Sequence, residues 1–381
     1  MRILHICAGN PFTPTMYYKE NYFLDANLAD GHEAIVLADT TLWQGNQVIE
    51  TAPCDEYLPN GVRVIRAAFQ SFGHPVLTAK MRKIPNFVQL VVGIAPDVIL
   101  FHNIYQYGIC ELNAIRAKLP NCKIYGDVST SFDNSARTFL SRYVLHGLLY
   151  RSWIQKSLPY WDKIFYVSEL SHDFLRDIYG IPDELLELNA LPGVIMPLEE
   201  KQRRADAFRI RYQIPPDTIV FFHSGKMDKA KRTVELLRLL QSLDDQISYR
   251  LFIAGKFYDD IRQEAEALVS EMESVTFLGF LSQDEMQTAL AACDLYLQPG
   301  SASQTAQAAI CCGTPVVVCG EKVYQHFVDG NGFLIRDTEE LREILPHVCA
   351  HPELLNQMSQ RAYEIASQYL DYRKLAARLY R

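Results

Sequence analysis

Residues 2–38, RILHICAGNPFTPTMYYKENYFLDANLADGHEAIVLA, decide the fold class. The apolar run Arg2–Cys7 is followed by a helical pattern over Tyr18–Ala29, and a second apolar run covers Ala34–Ala38. Gly31 lies where that helix is expected to end, because glycine adopts a left-handed backbone at little steric cost. A strand, a helix and a second buried strand predict a parallel β-α-β unit with helices covering the sheet.

The same alternation continues along the chain. Further strands are predicted in the first half at Val62–Arg66, Val98–His102, Lys123–Asp127 and Lys163–Val167. In the second half, strands are predicted at Thr218–His223, Tyr249–Ala254, Val275–Leu278, Leu295–Leu297 and Pro315–Val318. The helices predicted there are Lys231–Leu243, Asp259–Met272, Gln283–Ala291, Ser303–Ile310 and a final one from Pro352 to Tyr380. Two doubly wound α/β domains would place ligands at the carboxyl ends of their strands, in the cleft between the domains.

Composition and net charge exclude or disfavour several classes of protein. The 381 residues are 49% hydrophobic and 22% charged, which excludes a disordered or fibrous chain. A net charge of -8 disfavours non-specific nucleic-acid binding. The nine cysteines contain no CxxC pair and are expected to be mostly reduced. Neither a signal peptide nor an apolar run of spanning length is predicted, so we expect a cytoplasmic protein.

Short motifs occur in a characteristic order. They are Leu28–Leu37 (LADGHEAIVL), Ala95–His102 (APDVILFH), Ser224–Arg232 (SGKMDKAKR), Phe252–Gly255, Phe277–Phe280, Asp294–Gly300, Cys312–Val317 and Val328–Leu334. In this order they resemble the GT-B glycosyltransferases, specifically those of glycosyltransferase family 4 (group 1). The resemblance covers nearly the whole chain, and it implies two Rossmann-like domains that face each other across a cleft.

Domain boundaries follow from a linker and from that resemblance. Residues 191–197 combine two prolines with a glycine and lead into charged sequence, which is typical of a linker. We therefore predict an acceptor-binding domain over 1–195 and a nucleotide-sugar-binding domain over 196–365. The resemblance further implies that a C-terminal helix, 366–381, crosses back to the first domain.

The basic loop that follows the first strand of the second half is one candidate for donor binding. A nucleotide-sugar donor has a diphosphate leaving group, whose charge must be neutralised as the sugar–phosphate bond breaks. Gly225, Lys226 and Lys231 lie on a turn ahead of a helix, where ammonium and N–H groups can bind phosphate. The matching basic positions bind the diphosphate in the family, whereas Lys229 and Arg232 match less well. The alternative is that these lysines are only solvated.

The second donor motif departs from the family. The family usually has two glutamates eight positions apart, the second of which holds the donor ribose, but residues 299–313 contain no acid. Counting back from Gly313, the ribose-binding position falls on Ala308, so this Glu-x7-Glu motif is degenerate. The neighbouring Gln307 can still hydrogen-bond a ribose hydroxyl without charge.

Three hydroxyl side chains precede Gln307. Ser301, Ser303 and Thr305 open a predicted helix, where hydroxyl and N–H groups can bind phosphate. With the basic loop, they complete the predicted diphosphate site. The alternative is that Ser301 or Ser303 caps the helix and does nothing more.

Strand ends in the first half provide candidate catalytic residues. Asp127 and His102 each end a predicted buried strand. An inverting transfer needs a general base for the acceptor hydroxyl, whereas a retaining transfer needs chiefly leaving-group stabilisation. Asp127 is the first candidate base and His102 the second; the alternatives are a cap after the strand and a packed histidine. Lys19 and Glu20 also face the predicted cleft, but residues on an exposed helix are expected to be solvated.

Residues 136–157 form a basic and apolar stretch. It contains Arg137, Arg142, Arg151 and Lys156 but no acidic residue. Such a helix can lie on an anionic membrane, as a peripheral contact at its inner face. A buried domain helix with basic ends is the alternative, and we favour it.

These features together predict a glycosyltransferase that moves a sugar from a nucleotide-sugar donor to a glycan or glycolipid acceptor. The resemblance implies a role in bacterial surface polysaccharide biosynthesis. No Asp-x-Asp motif occurs, so we expect lysines to neutralise the diphosphate, with no metal and no cofactor. The alternatives are a catalytically silent GT-B-like binding or partner protein, and a sugar-nucleotide epimerase, which would need acids in the cleft. A nicotinamide dehydrogenase is disfavoured, because Gly9–Phe12 lacks a GxGxxG pattern.

Overall fold

The computed structural model describes residues 1–16, 18–45, 47–320 and 322–380. The chain folds into two compact units, Met1–Pro192 with Tyr372–Arg381, and Gly193–Asp371. Each unit is built on its own sheet of largely parallel strands. The predicted α/β class with two Rossmann-like doubly wound domains is therefore confirmed.

The first unit contains an eight-stranded sheet. The strands of this unit are β1 (Arg2–Cys7), β2 (Glu33–Ala38), β3 (Thr41–Gln44), β4 (Gln47–Glu50), β5 (Cys54–Tyr57), β6 (Arg63–Arg66), β7 (Val98–His102), β8 (Lys123–Val128), β9 (Lys163–Tyr166) and β10 (Leu186–Leu188). The sheet order is β10-β9-β8-β7-β1-β2-β6-β5, in which only β5 is antiparallel to its neighbour, and β3 and β4 form a separate hairpin. The strand order reverses between β1 and β7, where such folds bind ligands at the carboxyl ends.

Helices cover both faces of this sheet. They are α1 (Lys19–Ala29), α2 (Pro75–Met81), α3 (Phe87–Ile94), α4 (Leu112–Lys118), α5 (Arg151–Ser157) and α6 (Glu169–Tyr179), with a π-helix over Leu140–Tyr150 that leads into α5. In β7, Phe101 belongs to the apolar cluster on one face, and Leu100 belongs to the cluster on the other. Burial on both faces explains why the central strands are continuous apolar runs in the sequence.

The second unit contains a six-stranded parallel sheet, in the order β13-β12-β11-β14-β15-β16. Its strands are β11 (Ile219–Met227), β12 (Tyr249–Phe257), β13 (Val275–Gly279), β14 (Leu295–Gln298), β15 (Val316–Cys319) and β16 (Gly332–Ile335). Its helices are α7 (Leu198–Arg211), α8 (Thr233–Leu243), α9 (Arg262–Glu271), α10 (Gln283–Ala292), α11 (Gln304–Cys311), α12 (Leu341–Ala350) and α13 (Pro352–Ile365). Here the order reverses between β11 and β14, so the second candidate ligand position lies at their carboxyl ends.

The single helix predicted from Pro352 to Tyr380 is wrong. After a π-helical segment at Ala366–Leu370 the helix stops, and α14 (Tyr372–Ala377) begins as part of the first unit. Between them Asp371 is extended and forms a parallel bridge with Gly193. The two passages of the chain from one unit to the other are thus paired, and a continuous helix could not provide the extended backbone that this pairing needs.

Candidate functional site

Buried polar side chains meet in the first unit where β1, β7 and β8 lie side by side. Nδ1 of His5 is 2.9 Å from Nε2 of His102, and Nε2 of His5 is 2.8 Å from Oδ1 of Asn27. The two imidazole rings are stacked, with 5.2 Å between their centroids. Nδ1 of His102 is 3.8 Å from Oδ2 of Asp127 on the next strand. All four side chains are buried, so they form a continuous polar chain inside the unit.

Burial keeps the two imidazoles neutral. It lowers the pKa of His5 to about 4, although the hydrogen bond to Asn27 opposes the shift. Burial also lowers the pKa of His102 well below its ordinary value, and the nearby His5 and Lys19 lower it further. A neutral His102 has a free lone pair, which is the form that a general base requires.

Lys19 is an unexpected member of this cluster. Its Nζ donates to Oδ1 of Asp127 at 2.6 Å and to the carbonyl oxygen of Asn189 at 2.8 Å. The expectation that Lys19 is a solvated helix residue is wrong, because both charged side chains are buried. The alternative of Asp127 as a cap after its strand is also wrong, since it lies within β8 and binds Lys19. Burial raises the pKa of Asp127 and lowers that of Lys19, while their mutual attraction opposes both shifts.

Glu20 follows Lys19 at the start of α1 and is partly buried. Burial raises its pKa to about 7, the charge of Asp127 raises it further, and Lys19 opposes the shift. A carboxyl group that titrates near neutral pH can both donate and accept a proton. The sequence placed Glu20 near the site but gave no sign of this environment.

Glycines bring backbone segments of the second unit into close contact near the carboxyl ends of its strands. A Cβ atom at Gly255 would overlap the carbonyl oxygen of Gly225, and one at Gly300 would overlap that of Ala230. Gly225 and Gly255 also have positive φ angles of 142° and 134°. The N–H of Ser301 donates to the carbonyl of Ala230 at 2.7 Å. The loops after β11 and β14 therefore touch through their backbones at the point where the strand order reverses.

Lys231 fixes these two loops to each other. Its side chain is buried, and its Nζ donates to the carbonyl oxygens of Ser301 at 2.8 Å and Ala302 at 2.9 Å. Its backbone N–H donates to Oδ1 of Asp228 at 3.2 Å. The alternative of a solvated lysine is therefore wrong for Lys231, although its predicted role at the diphosphate remains a prediction.

Lys226 differs from Lys231 because it is exposed. It is paired in register with Lys256, so two lysines occupy neighbouring positions at the carboxyl ends of β11 and β12. Adjacent strands lie about 4.8 Å apart, so these two cationic side chains leave the sheet from neighbouring backbone positions and can attract the same anion. The sequence-based prediction missed Lys256. The repeated Gly-Lys pair at 225–226 and 255–256, each ending a strand, is the signal that could have found it.

The hydroxyl residues of the predicted diphosphate site have structural partners. Ser303 is the N-cap of α11, because its Oγ accepts from the N–H of Thr305 at 3.2 Å. The hydroxyl of Tyr324 contacts both the N–H and the carbonyl of Ser303, at 2.6 and 3.1 Å. Ser301 contributes its carbonyl oxygen to Lys231 and to Gln298. The capping alternative thus holds for Ser303, and phosphate binding by these hydroxyls remains a prediction.

Gln307 is buried in α11, whereas Ala308, where the family glutamate was expected, is exposed. Oε1 of Gln307 has no hydrogen-bond partner within residues 1–16, 18–45, 47–320 and 322–380. An unpaired buried amide oxygen costs about 1–3 kcal/mol, so this oxygen is a candidate acceptor for a ligand hydroxyl. Ribose binding by Gln307 remains a prediction.

Two sequence comparisons bear on this geometry. Residues 205–365, which contain the whole second-unit site, match the family model described as Glycosyl transferases group 1. The alpha-galactosylglucosyldiacylglycerol synthase of Streptococcus pneumoniae (strain ATCC BAA-255 / R6) is 23% identical over 211 residues, which are 51% of this chain and 54% of that protein. The chain thus spans about half the length of this curated relative.

Solved structures share the architecture along the whole chain. Anabaena HepE in complex with UDP-glucose has a TM-score of 0.62 at 18% identity, covering 100% of this chain and 98% of that one. WaaG, a glycosyltransferase involved in lipopolysaccharide biosynthesis, has a TM-score of 0.59 at 17% identity and 100% coverage of both chains. These findings support a GT-B glycosyltransferase. Identities this low show the fold alone, and the family 4 assignment with its degenerate glutamate motif remains a prediction.

In this GT-B protein the basic stretch 136–157 is not the buried helix that we favoured. Phe139, Leu140 and Leu148 are exposed by 72%, 70% and 67%, while Trp153 and Ile154 are buried. The stretch is therefore a surface helix with one face in the core and one apolar face in solvent. No helix in the part of the chain that the structure describes is long and apolar enough to cross a membrane.

Proposed function

We propose that this chain is a glycosyltransferase that moves a sugar from a nucleotide-sugar donor to a glycan or glycolipid acceptor. The observation that carries the proposal is the cationic strand-end site of the second unit, which lies inside the region that matches group 1 glycosyltransferases. The family match also favours a transferase over a sugar-nucleotide epimerase. The catalytically silent binding protein stays as the second candidate, because the acidic donor motif is missing.

The second unit is the proposed donor site. Lys226 and Lys256 present exposed ammonium groups at adjacent strand ends, and they suit the negative diphosphate that leaves with the nucleotide. Lys231 links the loops after β11 and β14 and adds positive charge next to them. Ser301, Ser303 and Thr305 complete the proposed phosphate contacts. Gln307 is the proposed partner of a ribose hydroxyl.

The first unit supplies the proposed catalytic residues, His102 and Asp127. Nζ of Lys19 already donates to Oδ1 of Asp127 at 2.6 Å, so that oxygen has a partner in place of an acceptor hydroxyl. We therefore assign proton removal from the acceptor hydroxyl to His102. Asp127 would then stabilise the imidazolium that forms. For a retaining transfer the same groups would position the acceptor without taking its proton.

A glycan or glycolipid is the proposed acceptor, and cytoplasmic surface-polysaccharide biosynthesis is the proposed role. The name of the pneumococcal relative, a glycolipid synthase, supports a lipid-linked acceptor. The exposed apolar face of 136–157 supports a peripheral contact with the membrane that holds such an acceptor. Metal independence belongs to the same proposal, since lysines are assigned the charge neutralisation.

The first test is calorimetric binding of UDP, GDP, CMP, dTDP and their common sugars, beginning with UDP-glucose, which the HepE structure contains. The wild type should bind one nucleotide, with or without EDTA, and Lys226→Ala/Lys256→Ala should weaken binding. The control is Lys118→Ala, an exposed lysine on α4 of the other unit. If none of the nucleotides binds, the transferase proposal fails and the silent partner protein becomes the better description.

A further inference from the structure

A second cavity-like site lies in the first unit, between α14 and one edge of the sheet. Its volume of about 360 Å³ is in the range of small-molecule sites. Three basic side chains, one acid and two aromatic rings line it: Lys163, Lys374, Arg378, Glu187, Tyr125 and Phe165. None of these residues belongs to the candidate site described above, so the cavity is a separate candidate for ligand binding.

Three neighbouring strands form one wall of the cavity. Tyr125 of β8 is paired in register with Lys163 of β9, and Phe165 of β9 is paired with Glu187 of β10. Lys163 and Phe165 are two positions apart, so their side chains leave the same face of the sheet. The strands thus fix the relative positions of one cation, one carboxylate and two rings.

The other wall comes from the end of the chain. Lys374 lies on α14 and Arg378 follows that helix directly. Nη1 of Arg378 donates to the carbonyl oxygen of Leu188 and lies 3.4 Å from Oε1 of Glu187. These contacts hold the guanidinium at the cavity and join segments that are 191 positions apart.

The lining favours an anion. Nζ of Lys163 donates to the carbonyl oxygen of Glu184 at 2.7 Å, which holds the ammonium in place but does not neutralise it. Three cationic side chains and one carboxylate leave the lining with a net charge of +2. The chain as a whole has a net charge of -8, so this is a local excess of positive charge.

The remaining side chains suit a ligand that is larger than a simple anion. The rings of Tyr125 and Phe165 are stacked, with 5.4 Å between their centroids, and Tyr125 is partly exposed. The carboxylate of Glu187, exposed by 41%, can only accept hydrogen bonds. It repels a free phosphate ion, but it can accept from the hydroxyl groups of a sugar, whose ring can lie against Tyr125.

We propose that this cavity binds a sugar phosphate. The phosphate accepts from Lys163, Lys374 and Arg378, and a sugar hydroxyl donates to Glu187. Such a ligand connects α14 to β8, β9 and β10 and so stabilises the helix on the sheet. The cavity is distinct from the proposed donor and acceptor sites, and the proposal does not depend on transferase activity.

The cavity is coupled to the buried ion pair of the candidate site. Tyr125 and Asp127 are two positions apart on β8, so both side chains leave one face of the sheet. Burial lowers the pKa of Lys19 and Asp127 opposes that shift, while the charge of Arg378 lowers the pKa further. An anion beside Arg378 offsets this charge and favours the ammonium form of Lys19, which holds Asp127.

The test is calorimetric titration of the full chain with glucose 1-phosphate, glucose 6-phosphate and fructose 6-phosphate, with glucose and inorganic phosphate for comparison. The wild type should bind at least one sugar phosphate about tenfold more tightly than either comparison compound. Lys163→Gln/Lys374→Gln should weaken that binding at least about tenfold, because two charge-assisted contacts are lost. The control, Lys118→Gln/Lys156→Gln, removes two exposed lysines from α4 and α5 and should bind like the wild type.

A second variant tests the sugar half of the site. Glu187→Gln should lower the ratio of sugar phosphate affinity to inorganic phosphate affinity about fivefold or more, because the carboxylate favours hydroxyl groups and repels phosphate. Hydrogen exchange in α14 should also slow when the sugar phosphate binds.

Several outcomes would overturn the proposal: no binding of any of the three sugar phosphates, unchanged affinity in Lys163→Gln/Lys374→Gln, or equal weakening in the control. Inorganic phosphate binding as tightly as the sugar phosphates would also overturn it, in favour of a simple anion site. Nucleotide binding should be unchanged in Lys163→Gln/Lys374→Gln. If no nucleotide binds the wild type, the transferase proposal fails, while the sugar phosphate titration still decides this one.

Discussion

The two units share a doubly wound fold but build their candidate sites in different ways. The first unit buries charged and polar side chains from several elements, with the Lys19–Asp127 ion pair beside His102 and His5. The second unit relies on backbone, because Gly300 lets two loops touch and Lys231 on one loop binds carbonyl oxygens of the other. A site made of side chains depends on ion pairs and on protonation states. A site made of backbone depends on whether neighbouring segments can approach without a steric clash. Perturbing charge should therefore affect the first unit most, and perturbing volume should affect the second.

Lowering the pH should produce the largest difference in stability between the two units. Burial lowers the pKa of His5 and His146 in the first unit, and of His223 in the second, to about 4. The unfolded chain takes up these protons below pH 6.5, while the folded chain does so only near pH 4. Each histidine thus lowers the free energy of unfolding by on the order of 3 kcal/mol as the pH falls through that window. The neutral His102 adds to the effect in the first unit.

Glu20 acts in the opposite direction, since its raised pKa of about 7 makes its contribution fall as the pH rises from 4.5 through 7. Burial also raises the pKa of Asp127, which acts in the same direction as Glu20. Because His5, His102 and His146 of the first unit all have lowered pKa values, whereas His223 is the comparable buried histidine of the second, we expect the first unit to lose hydrogen-exchange protection before the second when the pH is lowered from 7 to 4.5. If the second unit opened first, buried imidazoles would not be what sets acid stability.

Lys19→Met should strongly destabilise the first unit. It leaves the Asp127 carboxylate buried without its ammonium partner, which costs about 3–5 kcal/mol. Lys19→Met/Asp127→Leu should recover most of that loss in a denaturant titration, because both charges are then absent. The exposed Lys118→Met is the matched control and should be almost neutral. A single variant as stable as this control would mean that the ion pair contributes little.

Gly300→Ala tests the importance of space in the second unit. The new methyl group would overlap the backbone at Ala230, and overpacking of this kind costs about 1–3 kcal/mol. Thermal unfolding should reveal the loss, together with weaker nucleotide binding. Gly93→Ala is the comparison, because a Cβ there meets nothing within 4 Å. Equal effects of the two variants would argue against a tight loop contact.

Lys226→Ala/Lys256→Ala should change binding without changing stability. Both side chains are exposed, so unfolding should stay within about 0.5 kcal/mol of the wild type. Loss of two charge-assisted contacts should weaken nucleotide binding about tenfold or more. Unaltered affinity for the bound nucleotide would remove these lysines from the donor site.

Ser303→Ala should have the smallest effect. It removes the N-cap of α11, which is typically worth about 1 kcal/mol. If nucleotide affinity falls while the free energy of unfolding drops by no more than about 1 kcal/mol, the hydroxyl also contacts the ligand. If only stability changes, Ser303 is a cap and no more.

The sequence predicted the central strands well, because they are apolar runs buried on both faces. β1 and β7 have the predicted bounds. It failed for β4 and β5, whose four-residue segments, QVIE and CDEY, are mostly exposed and too short to show a periodic pattern. Edge strands and hairpins of this kind are defined by backbone pairing with a neighbour, which periodicity cannot reveal.

The two candidate sites were predictable to different degrees for the same physical reason. Lys231 belongs to a local motif in which a glycine turn leads into a helix, so its special position is encoded within a few residues. Lys19 and Asp127 are 108 positions apart, and only the completed sheet brings them together. Lys256 is intermediate in predictability, because the sequence signal for it is the Gly-Lys pair repeated at the ends of two consecutive strands.

The order of segments along the chain has a consequence for biosynthesis. The first unit needs α14, whose Leu375 and Ala376 are buried in the cluster that contains Phe23 of α1. That helix follows the entire second unit in the chain, so a ribosome makes all of the second unit before it supplies the missing piece of the first. The usual order, in which the N-terminal domain folds first, is thereby reversed for completion of the first unit. Until α14 arrives, the apolar surface that it will cover on α1 is open to chaperones.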